Sequence, residues 1–116
     1  MKNPLYALLI SPDKEDRAKI LSGAITCSIR EGYRDYRVGP VMLCCHRYCW
    51  SVLADITEVR AIGFEKLTPE EVAAAGYKPP AELLEKMKRF YPNVTNMSAI
   101  TVIRWTNLRG QLVGTP

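Results

Sequence analysis

Apolar residues along the chain fall into short runs that end at proline, glycine or charged residues, as the strands of a sheet do. The clearest run covers residues 24–30, where Ile25, Cys27 and Ile29 alternate with polar residues and share one side of a predicted strand. Further strands are predicted at residues 4–10, 41–45, 49–64 and 98–105. The fourth of these five runs is long enough that we expect it to bend.

Three other segments carry helix signals. Residues 11–23 are predicted as a helix that Ser11 or Asp13 caps and that ends at Gly23. Its buried side is expected to consist of Ala18, Ile20 and Leu21.

Residues 67–76 form the second predicted helix, in which Thr68 and Glu71 match a capping box and Pro69 takes the first helical position. A third helix is predicted from about Pro80 onwards. Its apolar stripe comprises Leu83, Leu84, Met87 and Phe90.

The order of these elements indicates the fold class. Neighbouring strands without helices between them argue against a doubly wound parallel sheet. The sequence therefore predicts an α+β protein, a small barrel of mixed or antiparallel strands with helices at its rim. We expect one domain over residues 1–106, followed by a tail or a short edge strand at residues 107–116.

Composition and charge add little to the prediction of the protein class and favour one class of partner. Hydrophobic residues make up 47% of the 116 residues and charged residues 24%, as in an ordinary soluble domain. The formal net charge of +4 favours an anionic partner such as RNA or a nucleotide. No secretory signal or apolar run of membrane-spanning length is recognisable, so we expect a cytoplasmic protein with reduced thiols and no membrane partner.

Residues 43–50, LCCHRYCW, hold three of the four cysteines and the only histidine. Zinc binding would need four converging ligands, but Cys44 and Cys45 face opposite ways on a strand. A disulfide between Cys45 and Cys49, or a nucleophilic cysteine beside His46, is disfavoured by a reducing compartment and by the same alternation. We therefore predict that these cysteines act as small apolar residues, with no metal or other cofactor.

The polar side of the strand at residues 24–30 is a candidate binding surface. Thr26, Ser28 and Arg30 offer two hydroxyls and a guanidinium, which can bind phosphate or the edge of a base. The loop that follows adds Tyr33, Arg34, Tyr36 and Arg37. Arginine with tyrosine suits single-stranded nucleic acid, whereas pairing of these arginines with nearby acids would make the loop an ordinary solvated surface.

Residues 20–44, ILSGAITCSIREGYRDYRVGPVMLC, resemble the signature region of ASCH domains, which are small relatives of PUA RNA-binding domains. The family pattern is G-x-K-x-x-E-x-R, and this chain has Gly23 and Arg30 at the corresponding separation. The likeness extends over roughly residues 4–106. It implies a PUA-like β-barrel whose cleft, beside the motif strand, binds RNA, a nucleotide or a modified nucleoside.

One small bacterial branch of this family hydrolyses N(4)-acetylcytidine with a lysine, a threonine and a glutamate. By position, the lysine corresponds to Ile25, the threonine to Ser28 and the glutamate to the neighbourhood of Ala75, where Glu70 and Glu71 are the nearest acids. Ser28 is thus the candidate nucleophile. Ile25 cannot activate it as a lysine would, although Lys19 lies one helical turn before Gly23.

Three functions follow as hypotheses. The first is a binding module for RNA, a nucleotide or a modified nucleoside, with Thr26, Ser28 and Arg30 in its cleft and residues 33–37 at its lip. The second is an amidohydrolase acting on N(4)-acetylcytidine or a similar modified nucleoside through Ser28. The third is an adaptor or inhibitor that binds a protein partner.

Overall fold

A computed structural model describes residues 6–10, 14–45 and 50–113. The main elements, in chain order, are β1 (Tyr6–Leu9), α1 (Lys14–Ser22), β2 (Cys27–Glu31), β3 (Gly39–Cys44), β4 (Trp50–Gly63), α2 (Pro69–Ala74), α3 (Pro80–Met87) and β5 (Ala99–Val113). A single turn of 3-10 helix at Phe64–Lys66 separates β4 from α2. No helix in these described ranges is long and apolar enough to cross a membrane.

The five strands form one mixed sheet in the order β1-β3-β4-β5-β2. Only β1 and β3 pair in parallel, while the other neighbours are antiparallel. The sheet curls into a half-barrel that brings its two edge strands towards each other, and Arg30 of β2 donates a hydrogen bond to the main-chain carbonyl of Leu9 in β1. The predicted small α+β barrel of mixed strands with helices at its rim is therefore confirmed.

Two apolar cores lie on opposite faces of the sheet, and β5 contributes to both. Ile103 and Trp105 join a core built mainly by β1, β3 and β4. Ile100 and Val102 join a second core, which includes residues of α2 and α3. Alternate side chains of a strand point to opposite faces of the sheet. Because this sheet is covered on both faces, β5 has an almost continuous run of buried residues.

The ends of α2 follow local sequence rules. The Thr68 hydroxyl accepts a hydrogen bond from the Glu71 main chain, and the Glu71 carboxylate accepts one from the Thr68 main chain, which confirms the predicted capping box. At the other end, Gly76 has φ +97° and donates to Ala73, while Tyr77 donates to Val72. These two bonds form a Schellman motif, which requires a left-handed residue that glycine supplies at little cost.

Two predicted apolar stripes need correction. In α1 only Ile20 is buried, whereas Ala18 and Leu21 are exposed, because this nine-residue helix turns a single apolar position towards the barrel core. Phe90 is 56% exposed, because α3 ends at Met87 and the chain no longer follows the helical stripe. The proposed caps Ser11 and Asp13 lie outside the described residues.

The predicted boundary after residue 106 falls inside β5. Residues 107–113 continue the strand and pair with the start of β4, in a register that places Arg109 opposite Leu53 and Val113 opposite Trp50. Asp55 reinforces this pairing by accepting hydrogen bonds from Asn107 at 2.9 Å and from Arg109 at 3.0 Å.

Candidate functional site

A cavity of about 440 Å³ lies where the free edge of β2 faces the end of β1, with α1 and α3 along its sides. Its size falls within the ordinary range of small-molecule pockets. Cys27, Ser28, Ile29 and Arg30 all line it, although successive side chains of a strand point to opposite faces. The cavity must therefore wrap around the edge of β2.

The two faces of β2 give the cavity two different walls. Cys27 and Ile29 belong to the second core, and Leu83 and Met87 of α3 extend this apolar wall. Ser28 and Arg30 lie on the opposite face of β2, towards β1. The predicted alternation along β2 is thus present, but Ile25 belongs to the first core because it precedes the strand.

Arg30 is held in place by neutral partners. Its Nε donates to Ser28 Oγ at 2.9 Å, and its Nη2 donates to the Leu9 carbonyl oxygen. Among the ion pairs of the described residues, none involves Arg30. A half-buried guanidinium that no carboxylate engages can bind an anionic or acceptor group of a ligand.

The cavity brings together the positions that the sequence resemblance aligned with catalytic residues of the acetylcytidine hydrolases, which are Ile25, Ser28 and the neighbourhood of Ala75. Ile25, Ser28 and Ala75 all line it. Two of the three carry apolar side chains that can neither donate nor accept a proton.

The two acids nearest to Ala75 in sequence are used elsewhere. Glu71 is 3% exposed and forms a 2.7 Å ion pair with Arg60, while Glu70 pairs with Arg104 at 3.1 Å. Burial alone would raise the pKa of Glu71, but hydrogen bonds from Thr68 and Arg60 hold that pKa below its usual value. Neither acid lines the cavity.

Charged and aromatic side chains from the helices and turns complete the lining. Asp16 of α1 and Lys86 of α3 form an ion pair at 3.8 Å across it. The other charged lining residues are Lys19, Arg30 and Glu82, and the aromatic ones are Tyr77, Phe90, Tyr91 and Trp105. None of Glu82, Lys86 and these aromatic residues was assigned to the site from the sequence, because they come from segments more than 45 residues away from β2.

Cys27 lines the cavity but is a poor nucleophile. It is 2% exposed, and burial raises the pKa of its thiol to about 12, so the thiolate is scarce at neutral pH. Burial also raises the pKa of Cys44. Cys27, Cys44 and Cys45 are free thiols.

The metal and disulfide hypotheses involve residues that lie outside the described ranges. Among the described residues, no group of three or more cysteine, histidine or acidic side chains could hold a metal ion. His46 and Cys49 lie outside those residues, so these hypotheses remain untested.

The other predicted binding residues lie away from this cavity. Thr26 lines a second hollow of about 320 Å³ with Thr57, Glu58 and Arg104. Trp105 lines both hollows, and its buried indole N–H has no partner among the described residues. Gly23 lies in the turn after α1 with φ +86°.

The tyrosine-rich loop is anchored to β5 but does not line the cavity. The Thr101 hydroxyl accepts from the main chain of Arg34 at 2.8 Å and donates to the carbonyl of Gly32 at 2.7 Å. Tyr36 packs against the first core, whereas Tyr33, Arg34 and Arg37 are exposed. A binding role for this loop therefore stays a prediction that is separate from the cavity.

The curled mixed sheet, its three helices and the cavity at one sheet edge define a small barrel-like α+β protein. No protein-family model and no curated protein sequence matches the chain. Among solved structures, the ASCH domain from Lactobacillus crispatus superposes with a TM-score of 0.67 at 14% identity, covering 88% of this chain and 78% of that one. A DUF984 protein from Enterococcus faecalis gives 0.68 at 8% identity, covering 100% and 88%. The chain thus has the fold of ASCH domains, which confirms the resemblance at the level of the fold.

Proposed function

We propose that the cavity beside β2 binds a nucleotide or a modified nucleoside, free or at the end of an RNA strand. The observation that carries this proposal is Arg30, a half-buried guanidinium oriented by Ser28 and Leu9, in a cavity that aromatic side chains also line. Guanidinium groups bind phosphate or base acceptors, and aromatic rings stack on bases. The net charge of +4 favours the same class of ligand.

The amidohydrolase alternative receives less support from the same cavity. Hydrolysis through a Ser28 hydroxyl needs a base to accept its proton, and Ile25 and Ala75 supply none. Lys19 also lines the cavity, so incubation with N(4)-acetylcytidine, followed by chromatography, is a useful direct check. Turnover that is lost in Ser28→Ala would reinstate the enzyme hypothesis.

The binding proposal is tested by calorimetric titration with the four nucleoside monophosphates and with a short single-stranded RNA. Arg30→Ala should weaken binding roughly tenfold or more, since a hydrogen bond to a charged group contributes about 1.5–3 kcal/mol. The matched control is Lys88→Ala, which removes an exposed positive charge outside the cavity. Affinity should also fall with added salt if phosphate is contacted.

Two results would contradict this proposal. One is equal weakening by both substitutions, which would indicate diffuse attraction to the positive surface. The other is the absence of binding by the unmodified protein to every one of these ligands.

A further inference from the structure

The main chain of β2 has one edge that is hydrogen-bonded to β5 and one free edge. Two hydrogen bonds, one at each end of β2, show which residues direct their main-chain groups towards each edge. Trp105 N–H donates to the Thr26 carbonyl at 3.1 Å, and Gly32 N–H donates to the Ala99 carbonyl at 2.8 Å. Between these points the pairing with β5 is regular, from Cys27 opposite Arg104 to Glu31 opposite Ile100. In antiparallel pairs, only alternate residues direct their main-chain groups at the partner strand.

Ser28 and Arg30 therefore bond to β5 through their main chain, while Cys27, Ile29 and Glu31 direct theirs to the free edge. An independent contact agrees with this assignment, since the outward Glu31 carbonyl accepts a hydrogen bond from Arg34 Nε at 2.8 Å. For Cys27 and Ile29, no main-chain partner lies within the described residues.

These two residues are also the ones whose free edge borders the cavity. Cys27 to Arg30 all line it, and Ile29 lies in the middle of β2. Ile29, a lining residue, thus directs an N–H donor and a C=O acceptor the same way along the free edge of β2. Such unpaired main-chain groups bind a partner that offers the complementary pair.

We propose that Ile29 reads the edge of the bound base through its main chain. Its N–H donates to a carbonyl oxygen of the base, and its C=O accepts from the adjacent ring N–H. The preferred ligands are bases with a C(=O)–N–H lactam edge, such as uracil and guanine, because that edge reproduces a neighbouring strand. This inference rests on the proposed function and adds to it the chemical group that is recognised.

The shape of the site favours a base over a peptide strand. An added strand of five residues would extend about 17 Å along β2. The cavity has only about 440 Å³, and the contact between Arg30 and Leu9 bridges the gap between the two edge strands. A flat ring between aromatic side chains is compatible with both limits.

Amide hydrogen exchange measured by NMR tests the proposal, with neighbouring residues of β2 as internal controls. In the free protein, the amides of Cys27 and Ile29 should exchange faster than those of Ser28 and Arg30. Saturation with uridine 5′-monophosphate should slow exchange at Ile29 at least tenfold and leave the ratio between Ser28 and Arg30 unchanged. Equal protection of Ile29 and Arg30 in the free protein, or no change at Ile29 on saturation, would overturn the proposal.

A set of methylated ligands provides the second readout. Uridine monophosphate methylated at N3 lacks the ring N–H and should bind roughly tenfold more weakly or worse. The matched control is the 5-methyl derivative, which adds the same group but keeps the lactam edge, and it should bind like the parent. Equal affinity of the N3-methyl derivative would overturn main-chain recognition.

Failure of this inference is distinguishable from failure of the proposed function. Binding that depends on Arg30 but is indifferent to N3 methylation and leaves Ile29 exchange unchanged would refute only the role of the main chain. If neither the four nucleoside monophosphates nor the short single-stranded RNA binds, both proposals are refuted.

Discussion

At the scale of single residues, burial determines which candidate side chains can carry out chemistry. Ser28 and Cys27 are neighbours in β2 and both line the cavity, but only the thiol is held in the apolar core between the sheet and α3. Arg30 stands out because its partners are a hydroxyl and a carbonyl, which leave its charge uncompensated. The cavity therefore combines a positively charged donor with a cysteine that is kept as a buried thiol.

The raised pKa of Cys27 predicts how stability depends on pH. In the folded state the thiol keeps its proton up to a pH of about 12, whereas in the unfolded chain it loses the proton near its ordinary value of 9.0. Its contribution to stability is therefore complete below pH 9 and is lost as the pH rises towards 12. The slope is about 1.4 kcal/mol per pH unit for one group.

Urea unfolding at pH 8, 9 and 10 measures this contribution. Cys27→Ala should be less stable than the unmodified protein at pH 8, because it leaves a cavity in the core, but its stability should decline less steeply above pH 9. The comparison isolates Cys27 from the other groups that titrate in this range. Parallel declines in the two proteins would contradict the assignment.

At the scale of elements, the turn after α2 positions one wall of the cavity. Ala75, Gly76 and Tyr77 leave the helix through the Schellman motif and all line the cavity. A Cβ atom added to Gly76 would lie 3.0 Å from Ile25 Cδ1, so the turn and the segment before β2 are closely packed. The backbone conformation of one glycine thus connects helix termination to the shape of the site.

Gly76→Ala should destabilise the protein and also change the cavity. The left-handed backbone alone imposes about 1–2 kcal/mol on a residue with a side chain, and the new methyl group also displaces Ile25. Gly32→Ala is the matched control, because Gly32 has φ +79° with nothing within 4 Å of the added atom. Both variants should lose stability in urea unfolding, but only Gly76→Ala should also weaken nucleotide binding. Unchanged stability of Gly76→Ala would refute this account of the turn.

At the scale of the whole molecule, β4 and β5 form the central pair on which the other strands are arranged. β3 and then β1 add to one side of this pair, and β2 adds to the other. In this half-barrel the sheet curls so far that its edge strands, β1 and β2, approach each other. The cavity is the gap that remains between them, so it belongs to no single element.

Truncation after residue 106 should markedly lower the thermal unfolding midpoint. Residues 107–113 pair with the start of β4, and their removal leaves that part of β4 without a neighbour on this side. Asp55→Ala is the control, since it removes only the exposed contacts with Asn107 and Arg109 and should have a small effect. A truncated protein that melts like the full chain would show that residues 107–113 are a dispensable tail.

Local rules explain why much of the fold could be predicted. The capping box at Thr68 and Glu71 and the alternation of Cys27, Ser28, Ile29 and Arg30 depend on residues within a few positions of each other. Phe90 and Leu21 were misassigned because the end of a helix and the side that it buries depend on tertiary neighbours. Residues 107–116 were predicted as a tail or a short edge strand, and the sequence alone could not decide between them because the pairing of β5 past residue 106 depends on residues more than 50 positions earlier.

The candidate site, like the fold, could be predicted only in part from the sequence. The shared strand side of Ser28 and Arg30, and the absence of proton-transfer groups at Ile25 and Ala75, follow from the amino-acid sequence alone. It took the packing of strands and helices to show that these four residues line one cavity, that Thr26 and the tyrosine-rich loop lie outside it, and that Ile29 lines it at the free edge of β2. The reason is physical: side-chain direction along a strand follows from backbone geometry, but a cavity between two sheet edges depends on how far the sheet curls and on which helices cover it.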